Sequence, residues 1–250
     1  MVRILLSGCC GKMGRNVIET VSKRKDCEIV AGIDIIDDTS LRFPVFQNFQ
    51  DAQVKADVII DFSNPALLPS MLEYAKETNT ALVLATTGLS DEQIKDVEEC
   101  AKSVPVFFSY NMSLGVSLLC ELSKIAAKVL GNNFDVEIVE AHHNQKIDAP
   151  SGTAIMLANA VKEEMPDAYC EYDRHSKRQK RTQNEIGIHS IRGGTIVGEH
   201  QVMFAGEDEI VTLSHSARSK VIFAQGAVNA AVFTANKPAG VYNMTDLVQE

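Results

Sequence analysis

The first part of the chain alternates short apolar runs with stretches in which apolar residues recur every three or four positions. Residues 2–6 are almost continuously apolar, as in a strand that is buried on both faces. Glycines spaced G-x-x-G-x-x-G follow, and Val17, Ile18 and Val21 then recur at helical intervals. A strand, a glycine turn and a helix in this order present free backbone N–H groups to a pyrophosphate.

The same pattern recurs as far as residue 108. Further apolar runs, each followed by polar, glycine or proline residues, lie at 28–33, 57–62, 81–85 and 104–108. Repeated strand and helix units predict a parallel sheet with right-handed crossovers, in which ligands bind beyond the carboxyl ends of the strands. One edge of that sheet is therefore predicted to carry Gly8, Asp34, Phe62, Thr87 and Asn111.

Asp34 strengthens the prediction of a dinucleotide site. It follows the second apolar run about 20 residues beyond the glycine turn, where an acid can accept hydrogen bonds from a ribose diol. The glycine spacing alone also fits a plain tight turn, and Asp34 alone also fits a turn residue. The interpretation therefore depends on the two features together.

Near Met112 the pattern changes. An amphipathic helix that ends at Gly131 is predicted by the apolar positions Leu114, Leu118, Leu119, Leu122 and Ile125. Residues 134–140 then alternate apolar and acidic side chains, which indicates a strand with one wet face. A second helix is predicted from Thr153 to near Pro166.

Three more apolar runs follow, at residues 186–191, 198–204 and 209–215. The segments between them are short and contain glycine, so neighbouring strands are expected to pair antiparallel. Residues 221–233 are small and apolar at helical spacing, which predicts a packing helix that returns to the first domain.

These elements together predict an α/β fold of two domains. Residues 1–112 and 221–250 form a Rossmann-like domain with a parallel sheet, which is expected to bind a dinucleotide. Residues 113–220 form a smaller α+β domain with a mixed or antiparallel sheet and helices to one side. That domain is expected to bind the substrate and to associate with other copies of the chain.

Composition excludes several classes of protein. The 250 residues are 45% apolar, as in an ordinary globular protein, and the formal charge of −9 argues against nucleic acid as a partner. No run reaches the length of about 18 apolar residues that spans a membrane, and no signal peptide is recognisable, so a cytoplasmic location is expected. The six cysteines show no Cys-x-x-Cys pair, which favours reduced thiols over a metal site or disulfides.

Residues 142–153 concentrate the polar chemistry of the chain. His142 follows a predicted strand, and its position beside His143 and Lys146 fits a general acid at a carboxylate-binding site. Lys146 could neutralise a substrate anion together with Ser151 and Thr153 at the start of a helix. The plainer alternatives are a structural histidine and a solvated lysine. Other histidines lie on separate predicted strands without ligand spacing, so no metal is expected.

The motifs resemble those of the 4-hydroxy-tetrahydrodipicolinate reductase family, also called dihydrodipicolinate reductases. The resemblance covers nearly the whole chain and rests on Gly8-x-x-Gly11-x-Met13-Gly14, Asp61-Phe62-Ser63, Thr86-Thr87-Gly88, Asn111-Met112-Ser113-x-Gly115, the segment from Glu140 to Ala154, Arg192-Gly193-Gly194, Gly198-x-His200 and His215-x-Ala217. It implies reduction of 4-hydroxy-tetrahydrodipicolinate to tetrahydrodipicolinate with NADH or NADPH, in the diaminopimelate route to lysine, by a homotetramer built through the substrate domain's sheet.

The resemblance also implies roles for individual residues. His142 is expected to donate a proton after hydride transfer, with Lys146 as its partner at the substrate. The carboxylates of the cyclic substrate are expected to be bound by His143, Lys146, Ser151, Gly152 and Thr153. Cofactor binding is expected at Gly8, Gly11, Lys12, Met13, Gly14, Asp34, Phe62, Thr86, Thr87, Gly88 and Asn111.

Three departures from the family pattern affect these expectations. Lys12 stands where the family often has arginine, and Ile35 follows Asp34 where members that use NADPH often have a basic residue. Asp34 would also repel a 2′-phosphate, so a modest preference for NADH is predicted, although Lys12 or Arg15 could still accept NADPH. Lys220 replaces the usual arginine and puts a contact between the domains in doubt.

Two alternatives remain from the sequence. A different two-domain dehydrogenase, acting on an amino acid or its semialdehyde, would need the same cofactor half but leaves residues 142–153 unexplained. A nucleotide-sensing regulator with the same fold would bind the cofactor without turnover.

Overall fold

The computed structural model describes residues 1–109 and 111–249, and the chain divides into two compact units. Unit 1 contains Met1–Leu114 and Lys220–Glu250, and unit 2 contains Gly115–Ser219. None of the helices within the described residues is long and apolar enough to span a bilayer.

Unit 1 is built on a parallel sheet. Its strands are β1 (Val2–Ser7), β2 (Cys27–Ile33), β3 (Val45–Phe46), β4 (Val58–Asp61), β5 (Ala81–Leu84), β6 (Pro105–Phe108) and β12 (Gly240–Tyr242). Its helices are α1 (Lys12–Ser22), α2 (Leu68–Thr78), α3 (Asp91–Cys100), α6 (Val221–Thr234) and α7 (Met244–Val248), with a 3-10 turn at Pro65–Leu67.

The sheet of unit 1 has the order β12-β6-β5-β4-β1-β2-β3. All of its strand pairs are parallel, and this order is that of a doubly wound nucleotide-binding sheet with β12 added at one edge. The apolar runs that predicted strands are buried on both faces because helices cover both sides. The Rossmann-like prediction is therefore confirmed.

Short sequence signals place two of the helices of unit 1. The Asn64 side chain accepts from the Ala66 amide and caps the turn that begins at Pro65. Ser90 and Gln93 form the predicted capping box at the start of α3. The first of these elements follows β4 and the second follows β5. The loops that lead into them therefore lie at the carboxyl edge of the sheet.

Unit 2 is built on a mixed sheet. It contains α4 (Leu114–Leu130), a 3-10 turn (Gly131–Asn133), β7 (Asp135–His142), α5 (Gly152–Glu164), β8 (Tyr169–Glu171), β9 (Glu185–Arg192), β10 (Gly198–Ala205) and β11 (Ile210–Ala217). The sheet order is β11-β10-β7-β9-β8. Its apolar core lies between this sheet and the helices α4 and α5.

The expected pairing of the strands of unit 2 is only partly correct. β10 and β11 pair antiparallel, as predicted. β9 does not pair with β10, because β7 lies between them and pairs parallel with β9 and antiparallel with β10. The segment 193–197 therefore passes the end of β7, where the Gly193 amide donates to the His142 carbonyl oxygen. The glycine-rich link thus contacts the strand end that carries His142.

The predicted apolar face of α4 is also different in the structure. Of the five apolar positions that predicted this helix, only Leu119 is buried, whereas Leu118, Leu122 and Ile125 are exposed. The buried face of α4 instead carries smaller residues such as Ser123 and Ala127. Small side chains allow the helix to approach the sheet closely, so hydrophobic spacing alone indicated the wrong face.

Candidate active site

β7 places two polar side chains in the core of unit 2. Alternate residues of this strand are buried, and in that register Val136 and Ile138 are followed by Glu140 and His142. The prediction of a strand with one wet face therefore fails at its end, because Glu140 points inward and has no exposed surface. A buried carboxylate requires charged or hydrogen-bonding partners.

The partners of Glu140 come from three different parts of unit 2. Arg192 donates from Nη1 to Oε2 at 2.9 Å and from Nη2 to Oε1 at 2.7 Å. His142 Nδ1 lies 2.6 Å from Oε2, and the Ser151 amide donates to Oε1 at 3.1 Å. The parallel pairing of β7 with β9 explains the arginine, since Arg192 is the register partner of His142.

These contacts keep the carboxylate of Glu140 ionised. Burial by itself would raise the pKa of Glu140, but hydrogen bonds from Arg192, Ser190, His142 and the Ser151 amide outweigh it and lower the pKa to about 2. A carboxylate that stays ionised accepts the proton on His142 Nδ1. It therefore fixes the histidine ring with Nε2 as the nitrogen that can exchange a proton.

A second histidine, His200, lies beside His142. The ring centroids are 5.2 Å apart in an edge-to-face arrangement. Burial, with a further contribution from His142, lowers the pKa of His200 to about 4, so this ring is neutral near pH 7. His200 Nε2 lies 3.1 Å from Ser151 Oγ. A neutral ring is poorly suited to donate a proton, so His200 acts by positioning Ser151 and packing against His142.

The turn before α5 forms an anion-attracting surface. Ser151 caps the helix by accepting from the Ala154 amide, and Gly152 and Thr153 form the first turn. A Cβ added at Gly152 would have no neighbour within 4 Å, so this helix end is open. Backbone N–H groups at an open helix start attract carboxylates.

The remaining predicted residues lie in the loop between β7 and α5. His143 and Lys146 are half-buried, and the Lys146 amide donates to the His143 carbonyl oxygen at 3.1 Å. Lys146 Nζ is 2.8 Å from Asp148 Oδ1, so its ammonium already has an anionic partner. Arg192 Nη2 also donates to the Asp148 carbonyl oxygen at 2.6 Å and links this loop to the network around Glu140.

Glu140, Arg192 and His200 were not among the site residues predicted from the sequence. A signal for Glu140 was present, since it lies two positions before His142 and continues the buried register of β7. Arg192 and His200 belong to motifs that carried the family resemblance, but their places beside His142 and Glu140 follow only from strand pairing, in which they align with those two residues respectively. The hydrophobic periodicity of one segment does not show which other strand that segment will pair with.

The candidate cofactor site lies at the carboxyl edge of the parallel sheet in unit 1. A cavity of about 400 Å³ there includes five residues predicted to bind the cofactor, namely Met13, Phe62, Thr86, Thr87 and Asn111. It is also lined by Lys220 and Phe223, which were not predicted to contact the cofactor. Asp61, also missed, is buried and accepts from Thr86 Oγ1 at 2.6 Å, which positions that threonine.

The glycine turn fits the close approach of a dinucleotide backbone. Gly8 has a φ of +76°, and a Cβ there would lie 2.6 Å from the Phe62 carbonyl oxygen. A Cβ at Gly14 would lie 2.2 Å from the Gly8 carbonyl oxygen, so only glycine allows this turn. Gly11 caps α1, whose first residue, Lys12, is exposed. These features form a cradle of the kind that a pyrophosphate requires.

Asp34 lies beside this turn, as predicted. Its Oδ2 accepts from the Cys10 amide at 2.8 Å, and its Oδ1 accepts from the Ile36 amide at 3.1 Å. A carboxylate has lone pairs left after two such bonds, so Asp34 can still accept from a ribose diol. Gly88, the last of the predicted cofactor residues, has a φ of +82° in the loop after β5.

Comparisons with known proteins agree with this description. Family models for the N-terminus and the C-terminus of dihydrodipicolinate reductase match residues 2–112 and 115–248. The 4-hydroxy-tetrahydrodipicolinate reductase of Clostridium novyi is 47% identical over 249 residues, covering 100% of this chain and 99% of the relative. That of Clostridium tetani is 48% identical over 244 residues, covering 98% and 96% respectively.

Two solved structures have a similar fold. A dipicolinate-bound dihydrodipicolinate reductase from Paenisporosarcina has a TM-score of 0.82, 28% identity and 97% coverage of both chains. A probable dehydrogenase from Thermotoga maritima, with a TM-score of 0.61, 12% identity and coverage of 99% of this chain and 93% of its own, shares the fold.

A doubly wound sheet with a glycine turn, together with a separate site of histidine and cationic residues, defines an NAD(P)H-dependent oxidoreductase. The family models and the relatives make the class more specific. The chain belongs to the dihydrodipicolinate reductase family.

Proposed function

We propose that this chain reduces 4-hydroxy-tetrahydrodipicolinate to tetrahydrodipicolinate in the diaminopimelate route to lysine, with His142 as the proton donor. The observation that carries the assignment of His142 is the buried Glu140 carboxylate, which lies 2.6 Å from His142 Nδ1. A reduced nicotinamide, when bound, supplies the hydride for this reaction. Loss of the 4-hydroxyl group as water gives a conjugated imine, and hydride addition to it leaves a carbanion-like carbon that requires a proton. We infer that His142 Nε2 supplies this proton.

Arg192 supports this role electrostatically. Its guanidinium makes two hydrogen bonds with Glu140 and balances the carboxylate charge whether His142 is protonated or neutral. The ring can therefore give up a proton without leaving an uncompensated buried carboxylate. Glu140 and Arg192 act through His142 and are positioning residues.

The substrate carboxylates are proposed to bind at the start of α5 and in the loop before it. Ser151, Gly152 and Thr153 offer an open helix N-terminus, Lys146 offers an ammonium group, and His143 offers an imidazole as a hydrogen-bond donor. A substrate carboxylate can replace Asp148 as the partner of Lys146. The dipicolinate in the Paenisporosarcina enzyme is a dicarboxylate of the kind that this surface suits.

The cofactor is proposed to bind at the carboxyl edge of the sheet in unit 1, with a modest preference for NADH. Asp34 favours a free ribose diol over a 2′-phosphate. Of the two cations that could accept the phosphate, Arg15 is already paired with Asp38, and Lys12 is exposed. Of these two residues, Lys12 is therefore the one left to offset the repulsion from Asp34.

The chain is proposed to form a homotetramer through the sheet of unit 2. Along β11, residues on one face are exposed in alternation from Ile210 to Ser216. A sheet with one uncovered face can pack against a second copy of itself. Sedimentation equilibrium tests this, and a monomeric mass would contradict it.

The activity is tested by a coupled assay that follows nicotinamide oxidation with freshly generated 4-hydroxy-tetrahydrodipicolinate. The proposal predicts turnover that depends on this substrate. Cofactor binding without turnover would instead support a regulator with the same fold. Turnover only with an amino acid or semialdehyde would support a different dehydrogenase.

A further inference from the structure

Two adjacent thiols and a carboxylate converge beside the glycine turn of unit 1. Cys9 and Cys10 lie in the turn after β1, and their Sγ atoms are 3.8 Å apart. Asp34 follows β2, and one ligand atom from each of these three residues lies within 4.8 Å of the other two. Cys9 is fully buried, whereas Cys10 and Asp34 are half-buried. The chain has no Cys-x-x-Cys pair, and Asp34 comes close to the thiols through the pairing of β1 with β2.

The separation of the thiols is that of two ligands on one tetrahedral metal ion. Zinc binds thiolate sulfur at about 2.3 Å, so two thiolates at the tetrahedral angle lie about 3.8 Å apart. The carboxylate of Asp34 supplies a third ligand of a type that zinc accepts, and water can complete the coordination. The two thiols thus already lie at the separation that such an ion requires.

Neighbouring residues hold the three groups in place. A Cβ at Gly32 would lie 2.5 Å from Cys9 Sγ, so the absence of a side chain at this position makes room for the sulfur. The Cys10 amide donates to Asp34 Oδ2 at 2.8 Å, which ties the carboxylate to the same turn. The backbone therefore fixes both thiols and the acid before any ligand binds.

We propose that Cys9, Cys10 and Asp34 bind one thiophilic divalent cation, of the zinc or cadmium class, and that the bound cation excludes the dinucleotide. Binding forms two metal–sulfur bonds and one metal–oxygen bond, and both thiols release their protons to solvent. Two positive charges leave as protons and two arrive on the metal, so the charge of the site does not change. No electron is transferred.

Because the net charge of the site does not change, the buried thiol of Cys9 can bind the cation as a thiolate. Cys9 is fully buried, so a bare thiolate would be poorly solvated there. A thiolate bonded to a divalent cation is neutralised directly and avoids this penalty. A cation of hard character, such as magnesium, gains little from sulfur ligands and is not expected to bind.

Competition with the dinucleotide follows from the position of Asp34, and this part rests on the proposed function. A carboxylate that binds a cation cannot also accept from the ribose diol, and an ion at Cys10 occupies the turn that faces the pyrophosphate. Apparent KM for NADH is therefore expected to rise by about tenfold or more at saturating metal, with kcat unchanged.

Metal binding is tested directly on the cofactor-free protein. We expect cadmium titration in oxygen-free buffer to produce a thiolate-to-cadmium charge-transfer band that saturates at one ion per chain. Cys10→Ser should weaken binding by at least about tenfold, whereas the matched control Cys170→Ser, which changes a thiol of β8 in unit 2, should leave it unchanged. The absence of the band, or equal binding by wild type and Cys10→Ser, would overturn the site.

The competition is tested separately by kinetics. Each protein is compared with itself with and without metal, so the test does not depend on the basal kinetics of Cys10→Ser, which keeps the backbone contact from Cys10 to Asp34. Cadmium should raise the apparent KM for NADH in the wild type but not in this variant. A saturable band with an unchanged KM would overturn the exclusion of the dinucleotide. The binding measurement needs no turnover, so its failure is distinguishable from failure of the proposed reaction.

Discussion

Replacing Glu140 by glutamine perturbs the hydrogen-bond network beneath His142 while keeping the size of the side chain. The carboxylate has no exposed surface, and the hydrogen bonds from Arg192, His142 and Ser151 lower its pKa to about 2 from an ordinary value of 4.5. A pKa difference of this size between the folded and the unfolded chain corresponds to about 3 kcal/mol of folding stability at pH 7.

The sign of the pH dependence follows from the direction of the shift. Because the pKa of Glu140 is lower in the folded chain, its stabilisation is complete above about pH 4.5 and is lost as the pH falls towards about 2. We therefore expect Glu140→Gln to lower the free energy of unfolding by about 3 kcal/mol at pH 7. At pH 3 the difference between the variant and the wild type should be much smaller.

Urea denaturation at both pH values measures this difference. The matched control is Glu137→Gln on the opposite face of β7, where Glu137 is partly exposed and pairs with Arg181 and His189. Such a surface pair contributes under about 1 kcal/mol. Equal losses for the two variants, or a loss in Glu140→Gln that is the same at pH 7 and pH 3, would refute the reasoning.

Three further predictions concern the two binding sites. Gly14→Ala places a Cβ 2.2 Å from the Gly8 carbonyl oxygen and should weaken NADH binding by at least about tenfold in a fluorescence titration; an unchanged Kd would place the dinucleotide elsewhere. Lys146→Met should lower kcat/KM for the dicarboxylate about ten- to a hundredfold without changing NADH affinity, and unchanged substrate kinetics would remove Lys146 from the site. Initial rates should be higher with NADH than with NADPH, and Asp34→Ser should reduce that ratio; a strong NADPH preference in the wild type would contradict the role given to Asp34.

The sequence was most informative where the signals are local. In unit 1 each strand is a short apolar run, and caps such as Ser90 with Gln93 mark the helix starts within a few residues. Parallel order then follows from the repetition of strand and helix. The edge that carries Gly8 and Asp34 could therefore be predicted without knowledge of distant contacts.

The strand order and the candidate site of unit 2 depend on contacts between residues that are far apart in the chain. Arg192 meets Glu140 across 52 positions, and only the insertion of β7 between β9 and β10 brings them together. A short link between two strands ordinarily indicates a hairpin, which is why the β9 pairing was predicted wrongly. The loop containing His142 was recognisable from its residues, whereas the charges that orient the ring were not.

The most direct test of the central claim is the kcat of His142→Gln with freshly generated 4-hydroxy-tetrahydrodipicolinate, measured beside its affinity for NADH. Glutamine can keep a hydrogen bond to Glu140 but cannot supply the proton. The account predicts a kcat lower by about two to four powers of ten with nearly unchanged NADH affinity. A kcat equal to that of the wild type would show that another group protonates the substrate.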